Sequence, residues 1–285
     1  MDNTNNINNS TDSLLDKLKE DSVSYKNLET SSLSIKEKKK AIRSLMNIRM
    51  PGNIPDGLLS IQDSYLQNEL DNKGIVYLDD IPVVEQQYNS NIPHADKISV
   101  WQGDITRLGT GAIVNAANSQ MLGCFVPCHA CIDNAIHSAA GLQLREECNN
   151  IMERKRQQNG RHYQEQTGTA VLTKAYNLPC NYVIHTVGPI VYNCLDQKLC
   201  QDLCNCYRSV LECCVENGIK SVAFCCISTG EFHFPNDKAA EIALGTVLNF
   251  LDIHNNSLDR VVFNVFKDID REIYENLIQQ WHSTT

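Results

Sequence analysis

Hydrophobic positions change their spacing near residue 95. Before it, apolar residues recur at helical intervals of three and four. The stretches "SLLDKLKEDSVSYKNL" (13–28), "SIKEKKKAIRSLMNIRM" (34–50) and "DGLLSIQDSYLQNEL" (56–70) each read as an amphipathic helix, the second with a basic front. Pro51 and Gly52 end that second helix. The first ten residues are polar and Asn-rich, and their composition predicts disorder. Asn91–Asp96, around Pro93, reads as a boundary between a small helical N-terminal extension (1–95) and a larger domain (96–285).

From Ile98 onward short apolar runs alternate with helical stretches. Strands are expected at Ile98–Trp101, Ala112–Asn115, Thr169–Thr173, Tyr182–Thr186, Val222–Cys226 and Arg260–Val265. Helices are expected at Asp133–Arg156, Lys198–Glu216, Asn236–His254 and Ile269–Trp281. Val- and Ile-rich strands separated by helices predict an α/β layered domain with a mainly parallel sheet. Ligands of such sheets lie beyond the carboxyl ends of the strands, which directs attention to the loops after Asn115 and Cys226.

Bulk composition narrows this picture. The 285 residues suffice for one sizeable core, and 42% hydrophobic with 21% charged residues fits a soluble globular protein. A formal net charge of −9 argues against nucleic acid or an anionic membrane as partner through bulk electrostatics. An anionic ligand would have to be held locally, by backbone N–H groups at a helix start for example. No apolar run approaches the ~18 residues of a transmembrane helix, and the N-terminus has neither a secretory nor a transit pattern, so a cytoplasmic location is expected. The 13 cysteines are then expected as reduced thiols. Cys213, Cys214, Cys225 and Cys226 read as small buried hydrophobes, and Cys200 and Cys204 with Leu199, Leu203 and Val210 as an apolar helix face.

Three loops carry candidate chemistry. In "AIVNAANS" (112–119), Asn115 reads as a local structural residue, whereas Asn118 has the donors and acceptors to meet a sugar hydroxyl. In "ISTGEFHFPNDKAAEIA" (227–243), Ser228, Thr229 and Gly230 lead into a helix start, which suits a phosphate cradle, with Phe232 and Phe234 available to cover a sugar or base. A plain strand-to-helix turn explains the same pattern equally well. The third loop, "LGCFVPCHACIDNAIH" (122–137), gathers Cys124, Cys128, His129 and Cys131 directly before Asp133. Two thiolates and an imidazole suit a tetrahedral Zn²⁺ with an open fourth position, the arrangement of a catalytic metal. Cys128 as a fourth ligand would make the site closed and structural; it reads as a bystander, because adjacent side chains usually diverge, and a disulfide is disfavoured by the expected compartment. Asp133 also fits the first turn of a helix, where it complements the dipole and reaches His137 at i+4. His185, in "VIHTVGP" (183–189), reads as a hydrogen-bonded core histidine.

Six motifs in order, "GDIT" (103–106), "IVNAANS" (113–119), "IDNAIHSAAG" (132–141), "TGTAVLT" (167–173), "VIHTVGP" (183–189) and "ISTGEFHFP" (227–235), resemble a macrodomain over residues 97–285. The resemblance implies a three-layer α/β/α fold with a mixed, mainly parallel six-stranded sheet. It also implies an ADP-ribose pocket: Asp104 on the adenine amino group with the backbone of Ile105 beside it, Asn118 on the distal ribose, and Ser228, Thr229, Gly230, Glu231 and Phe232 around the diphosphate and distal ribose. Where hydrolytic macrodomains carry a glycine run, this chain has Gly123-Cys124-Phe125-x-Pro127-x-His129-x-Cys131, which resembles the zinc-dependent class. That class implies one Zn²⁺ per chain on Cys124, His129 and Cys131, with Asp133 aligned to the catalytic aspartate of the glycine-run enzymes. The activity implied is removal of mono-ADP-ribose from modified proteins, at Asp or Glu side chains, with Asn118 orienting the ribose and Asp133 acting as a base or as a partner beside the metal. The rival readings are a reader of ADP-ribose, an O-acetyl-ADP-ribose deacetylase and a structural zinc module. The intact Cys-x4-His-x-Cys spacing counts against a pure reader, which needs no open metal.

Overall fold

A computed structural model of the chain describes residues 2–254 and 256–281. In chain order the backbone forms helices α1 (Asp2–Asp21), α2 (Ile35–Ile48) and α3 (Leu58–Lys73), strand β1 (Val76–Tyr77), helix α4 (Val84–Tyr88) and strands β2 (Ile98–Gln102), β3 (Leu108–Gly109) and β4 (Ala112–Ala117). Helices α5 (Ile132–Ala140) and α6 (Leu142–Asn159) follow, then β5 (Ala170–Lys174), β6 (Tyr182–Val187), α7 (Gln197–Glu216), β7 (Ser221–Phe224), α8 (Asn236–Ile253), β8 (Arg260–Val265) and α9 (Asp268–Gln279). Among the described residues no helix is long and apolar enough to cross a membrane.

These elements divide into two compact units, and the division is not linear along the chain. One unit holds Met1–Ile75, Met121–Tyr163 and Ala175–Leu178; the other holds Val76–Gln120, Gln164–Lys174 and Pro179–Thr285. The N-terminal helices thus share a unit with the cysteine-rich loop and with α5 and α6.

The helical unit is built around one apolar cluster. Leu14, Leu15 and Leu18 of α1, Leu45 and Met46 of α2, and Leu58 of α3 meet Leu142 of α6 in it. Helix α1 extends back to Asp2, through a polar segment that composition predicts to be disordered. Once the leucines pack, the helix is nucleated, and each residue added toward the N-terminus gains a backbone hydrogen bond at little further entropic cost. Met1 lies outside the described residues. Ser34 caps α2 in a capping box with Glu37, satisfying two orphan amide groups reciprocally. The single helix expected over Asp133–Arg156 is instead two, because Gly141 has φ 97° and ψ 176°. A Cβ there would fall 2.6 Å from the Gln62 amide, and Gln62 Oε1 accepts the Leu142 N–H at 2.9 Å in place of a helical carbonyl.

The other unit carries a six-stranded sheet of order β2-β8-β7-β4-β6-β5, together with a short parallel β1–β3 pair. All pairings in the large sheet are parallel except β5–β6. Strands β4, β6 and β8 are buried almost end to end, as expected of a parallel sheet covered on both faces. The sheet is mixed and mainly parallel, as the resemblance implies. Strand β7 ends at Phe224, two residues before the expected end.

All 13 cysteines are free thiols. On α7 the buried side is Leu203, Cys206, Tyr207, Val210, Leu211 and Cys214. Cys200 and Cys204 are only half-buried, so the apolar face lies one step around the helix from the one read in the sequence.

Candidate functional site

The five parallel strands of the sheet end on the same side, and four of the loops beyond their carboxyl ends carry sequence-predicted residues or their neighbours. Asp104 follows β2, Asn118 follows β4, Gly188 follows β6 and the 225–235 loop follows β7. Three inter-strand steps separate β2 from β4, a span of roughly 14 Å at the usual strand spacing. An elongated ligand laid across these loops would meet Asp104 at one end and Asn118 at the other.

Each of these side chains is fixed locally. Asp104 caps the turn Ile105–Arg107, with Oδ1 accepting from the Thr106 N–H at 3.0 Å and from its hydroxyl at 2.6 Å. Ile105 itself is buried. Buried Asn264 of β8 donates to the carbonyls of Trp101 and Gly103, at 3.3 and 3.0 Å, and so holds the start of the same turn. Asn118 Oδ1 accepts the Gln120 N–H at 2.9 Å in an Asx turn.

Three carbonyls of the 228–232 loop are used within the protein, and of its amides Thr229 N–H donates to the Cys226 carbonyl at 3.4 Å. The carbonyls of Ser228, Gly230 and Phe232 accept from the N–H groups of Phe234, His233 and Val191. The N–H groups of Ser228, Gly230 and Phe232 find no acceptor among the described residues. Ser228 is in the left-handed region at φ 65°, and its buried hydroxyl has no protein partner. A strained residue with an unmatched buried polar atom is the pattern of a ligand clamp rather than of a plain turn. Phe232 is half-buried at this loop, whereas Phe234 is 1% exposed and belongs to the core, so it cannot cover a ligand as the sequence suggested.

The cysteine-rich loop lies in the helical unit. The sulfurs of Cys124 and Cys131 and a ring nitrogen of His129 lie within 4.8 Å of one another. The Cys124 Sγ to His129 Nδ1 distance is 3.6 Å. A tetrahedron with Zn–S and Zn–N bonds of about 2.3 and 2.0 Å has an S–N edge of roughly 3.5 Å, so the spacing fits zinc. Burial, with a contribution from the Cys124 sulfur, pushes the Cys131 thiol up to about 12. A bound divalent cation reverses that preference by favouring the thiolate. Cys128 is turned elsewhere: at φ 53° its sulfur lies 3.2 Å from the Ser44 hydroxyl and 3.5 Å from the Lys40 carbonyl, both on α2.

Immediately after the loop, Cys131 caps α5 and its sulfur accepts the Asn134 N–H. Asp133, in the first turn, is 5% exposed and its Oδ1 lies 3.5 Å from His137 Nε2. Gly123, read in the sequence only as part of the loop motif, and Arg145, which the sequence reading passed over, hold this region together. Gly123 has φ 79°, and a Cβ there would stand 2.8 Å from the His137 ring. Arg145 of α6 is 4% exposed and donates to the carbonyls of Leu122, Met46 and Arg49 at 2.7, 2.9 and 2.6 Å, with its guanidinium 4.5 Å above the Phe125 ring. Burial pulls the Arg145 pKa down and the Asp133 charge opposes that pull.

A mainly parallel sheet flanked by helices, with unmatched backbone donors in a loop beyond its strand ends, makes this an α/β protein of layered architecture. The chain belongs to the Macro domain family, whose pattern it matches over residues 114–243. It is 50% identical over 242 residues to a protein-ADP-ribose hydrolase of Treponema medium, covering 85% of this chain and 88% of that one. It is 44% identical over 234 residues to a protein-ADP-ribose hydrolase of Staphylococcus aureus strain MSSA476, covering 82% of each. Among solved structures, the Trypanosoma brucei macrodomain in complex with ADP-ribose superposes with a TM-score of 0.62 at 30% identity, over 82% of this chain and 94% of that one.

Proposed function

We propose that this chain is a zinc-dependent hydrolase that releases ADP-ribose from mono-ADP-ribosylated proteins, acting on Asp and Glu esters. The hydrolytic part of the reading is supported by the two relatives named protein-ADP-ribose hydrolase, which align along most of their own length. The single observation that carries the metal-dependent part is the spacing of the Cys124, His129 and Cys131 donor atoms, which matches a tetrahedral edge with three ligands supplied. Zn²⁺ held there would supply Lewis acidity and a water of lowered pKa.

The chain's own residues do the rest. The N–H groups of Ser228, Gly230 and Phe232 receive the diphosphate oxygens, which lets an acidic protein bind an anion without a basic patch. Asp104 accepts from the adenine amino group. Asn118 orients the distal ribose so that its anomeric carbon faces the attacking water. As the water oxygen bonds to that carbon, the ester C–O bond breaks, the side-chain carboxylate leaves with the electron pair, and Asp133 takes the water's proton.

The test uses two substrate proteins, one modified on carboxylates (a hydroxylamine-labile ester) and one on serine. Chromatography of released ADP-ribose should show turnover of the first and little of the second. Equal release from both would remove the carboxylate assignment. Binding of ADP-ribose with release from neither would make the protein a reader.

A further inference from the structure

We propose that helix α2 of the N-terminal region is a positioning element of the metal loop, with Arg43 and Asn47 holding residues 124–131 in the shape that gathers the three ligands. The inference rests on the zinc reading above and extends it to residues that no part of that reading uses.

The loop has no helix or strand between Gly123 and Cys131, only a turn closed by the His129 N–H on the Val126 carbonyl at 3.2 Å, so most of its shape must come from elsewhere. Asn134 is the joint. Its side-chain Nδ2 donates to the Val126 carbonyl at 3.0 Å, and its backbone N–H donates to Cys131 Sγ at 3.4 Å. Asn134 is 0% exposed, and its Oδ1 is gripped by both Nε and Nη2 of Arg43, at 3.1 and 2.7 Å. The same Nη2 reaches the His129 carbonyl at 3.4 Å, so one guanidinium touches the residue that orders Cys131 and the backbone of His129 itself.

One turn further along α2, Asn47 is 1% exposed and binds the loop from the other side. Its Oδ1 accepts the Cys128 N–H at 2.9 Å, and its Nδ2 donates to Ser138 of α5 at 2.9 Å. Cys128 is held in the left-handed region at φ 53°, which a residue other than glycine keeps only when its surroundings fix it. That bend turns the Cys128 sulfur toward α2 and lets His129 and Cys131 face Cys124. Removing either α2 side chain leaves buried loop groups unmatched, and the loop relaxes into conformations that no longer bring two sulfurs and a nitrogen together. Partners of metal ligands of this kind typically change metal affinity by about 10- to 100-fold when mutated.

The test measures zinc affinity directly, by competition with a chromogenic chelator, on full-length wild type, Arg43→Lys, Asn47→Ala and, as control, Lys36→Ala on the exposed side of α2. Arg43→Lys keeps the positive charge but cannot make the two-nitrogen grip on Asn134, so it separates geometry from electrostatics. Both Arg43→Lys and Asn47→Ala should bind zinc about 10- to 100-fold more weakly. Lys36→Ala should match wild type, ADP-ribose affinity should be unchanged throughout, and the Cys128 amide should exchange faster in Asn47→Ala. If Asn47→Ala does not fold by circular dichroism, the folded Arg43→Lys variant decides. Wild-type zinc affinity in folded Arg43→Lys overturns the proposal alone, whereas a wild-type protein that binds no zinc overturns the zinc reading beneath it.

Discussion

Gly123 shows how much a single residue can settle in this protein. At φ 79° it accepts a backbone conformation that side chains avoid, and the His137 ring fills the space where a Cβ would stand. Gly123→Ala should therefore cost about 1–3 kcal/mol in urea unfolding and disturb the His137–Asp133 pair. Unchanged unfolding would show that the loop absorbs the methyl group elsewhere. His185 makes a second prediction. Its Nδ1 pairs with the Asn115 side-chain amide at 3.0 Å and its Nε2 with Thr173 Oγ1 at 2.9 Å, both in the buried core. Burial pushes this imidazole down to about 3. The folded pKa lies below the ordinary value of about 6.5, so the unfolded chain binds the extra proton first. Stability should be full above about pH 6.5 and fall by roughly 1.4 kcal/mol per pH unit from this group as pH drops toward 3. His185→Gln melts that keep the same acid slope would contradict it. The role of His185 as a core histidine was legible in its apolar strand. Arg145 was not, because it acts on three backbone carbonyls, two of them nearly a hundred residues away, and backbone acceptors leave no mark in a sequence.

At the scale of elements, the six strands of the large sheet were legible to within two residues because short continuous Val/Ile-rich runs follow from burial on both faces of a parallel sheet, whereas the two-residue strands β1 and β3 are too short to leave such a run. The loops were legible in residue type but not in conformation. Its place in the turn made Phe234 available to cover a sugar or base, yet the chain bends at Ser228 and buries it. The single helix read over 133–156 fails at Gly141, where packing against Gln62 outweighs helical propensity. The 228–232 loop yields a test of the anion cradle. Gly230 has open space around its Cα, so Gly230→Glu should fold normally. Its carboxylate would face the diphosphate, and ADP-ribose affinity by calorimetry should drop at least about tenfold. Undiminished affinity would place the phosphate site in another loop. In the metal loop, Cys131→Ala should lose the zinc and Cys128→Ala should keep it, as metal analysis of the two purified variants can establish. Full metal in the Cys131 variant would overturn the ligand set.

At the scale of the whole molecule, the candidate metal ligands and Asp133 belong to the helical unit, and the candidate ligand-binding loops belong to the unit that carries the sheet. A boundary near residue 95 reads naturally along the sequence, but the N-terminal helices pack with residues 121–163, a long-range association that local periodicity cannot reveal. This division has a consequence for the reaction. In the proposed reading the adenine and diphosphate are met by strand-end loops outside the metal loop, so affinity for ADP-ribose should largely survive zinc removal. A group that acts mainly in the transition state lowers rate more than affinity when it is lost. The most direct measurement is therefore hydrolysis of a carboxylate-modified protein against zinc content, on chelated protein that circular dichroism shows to be folded. The account predicts that turnover disappears with the metal, returns when Zn²⁺ is added back, and leaves most ADP-ribose binding in place. Undiminished turnover by folded, zinc-free protein would contradict it and return the chemistry to Asp133.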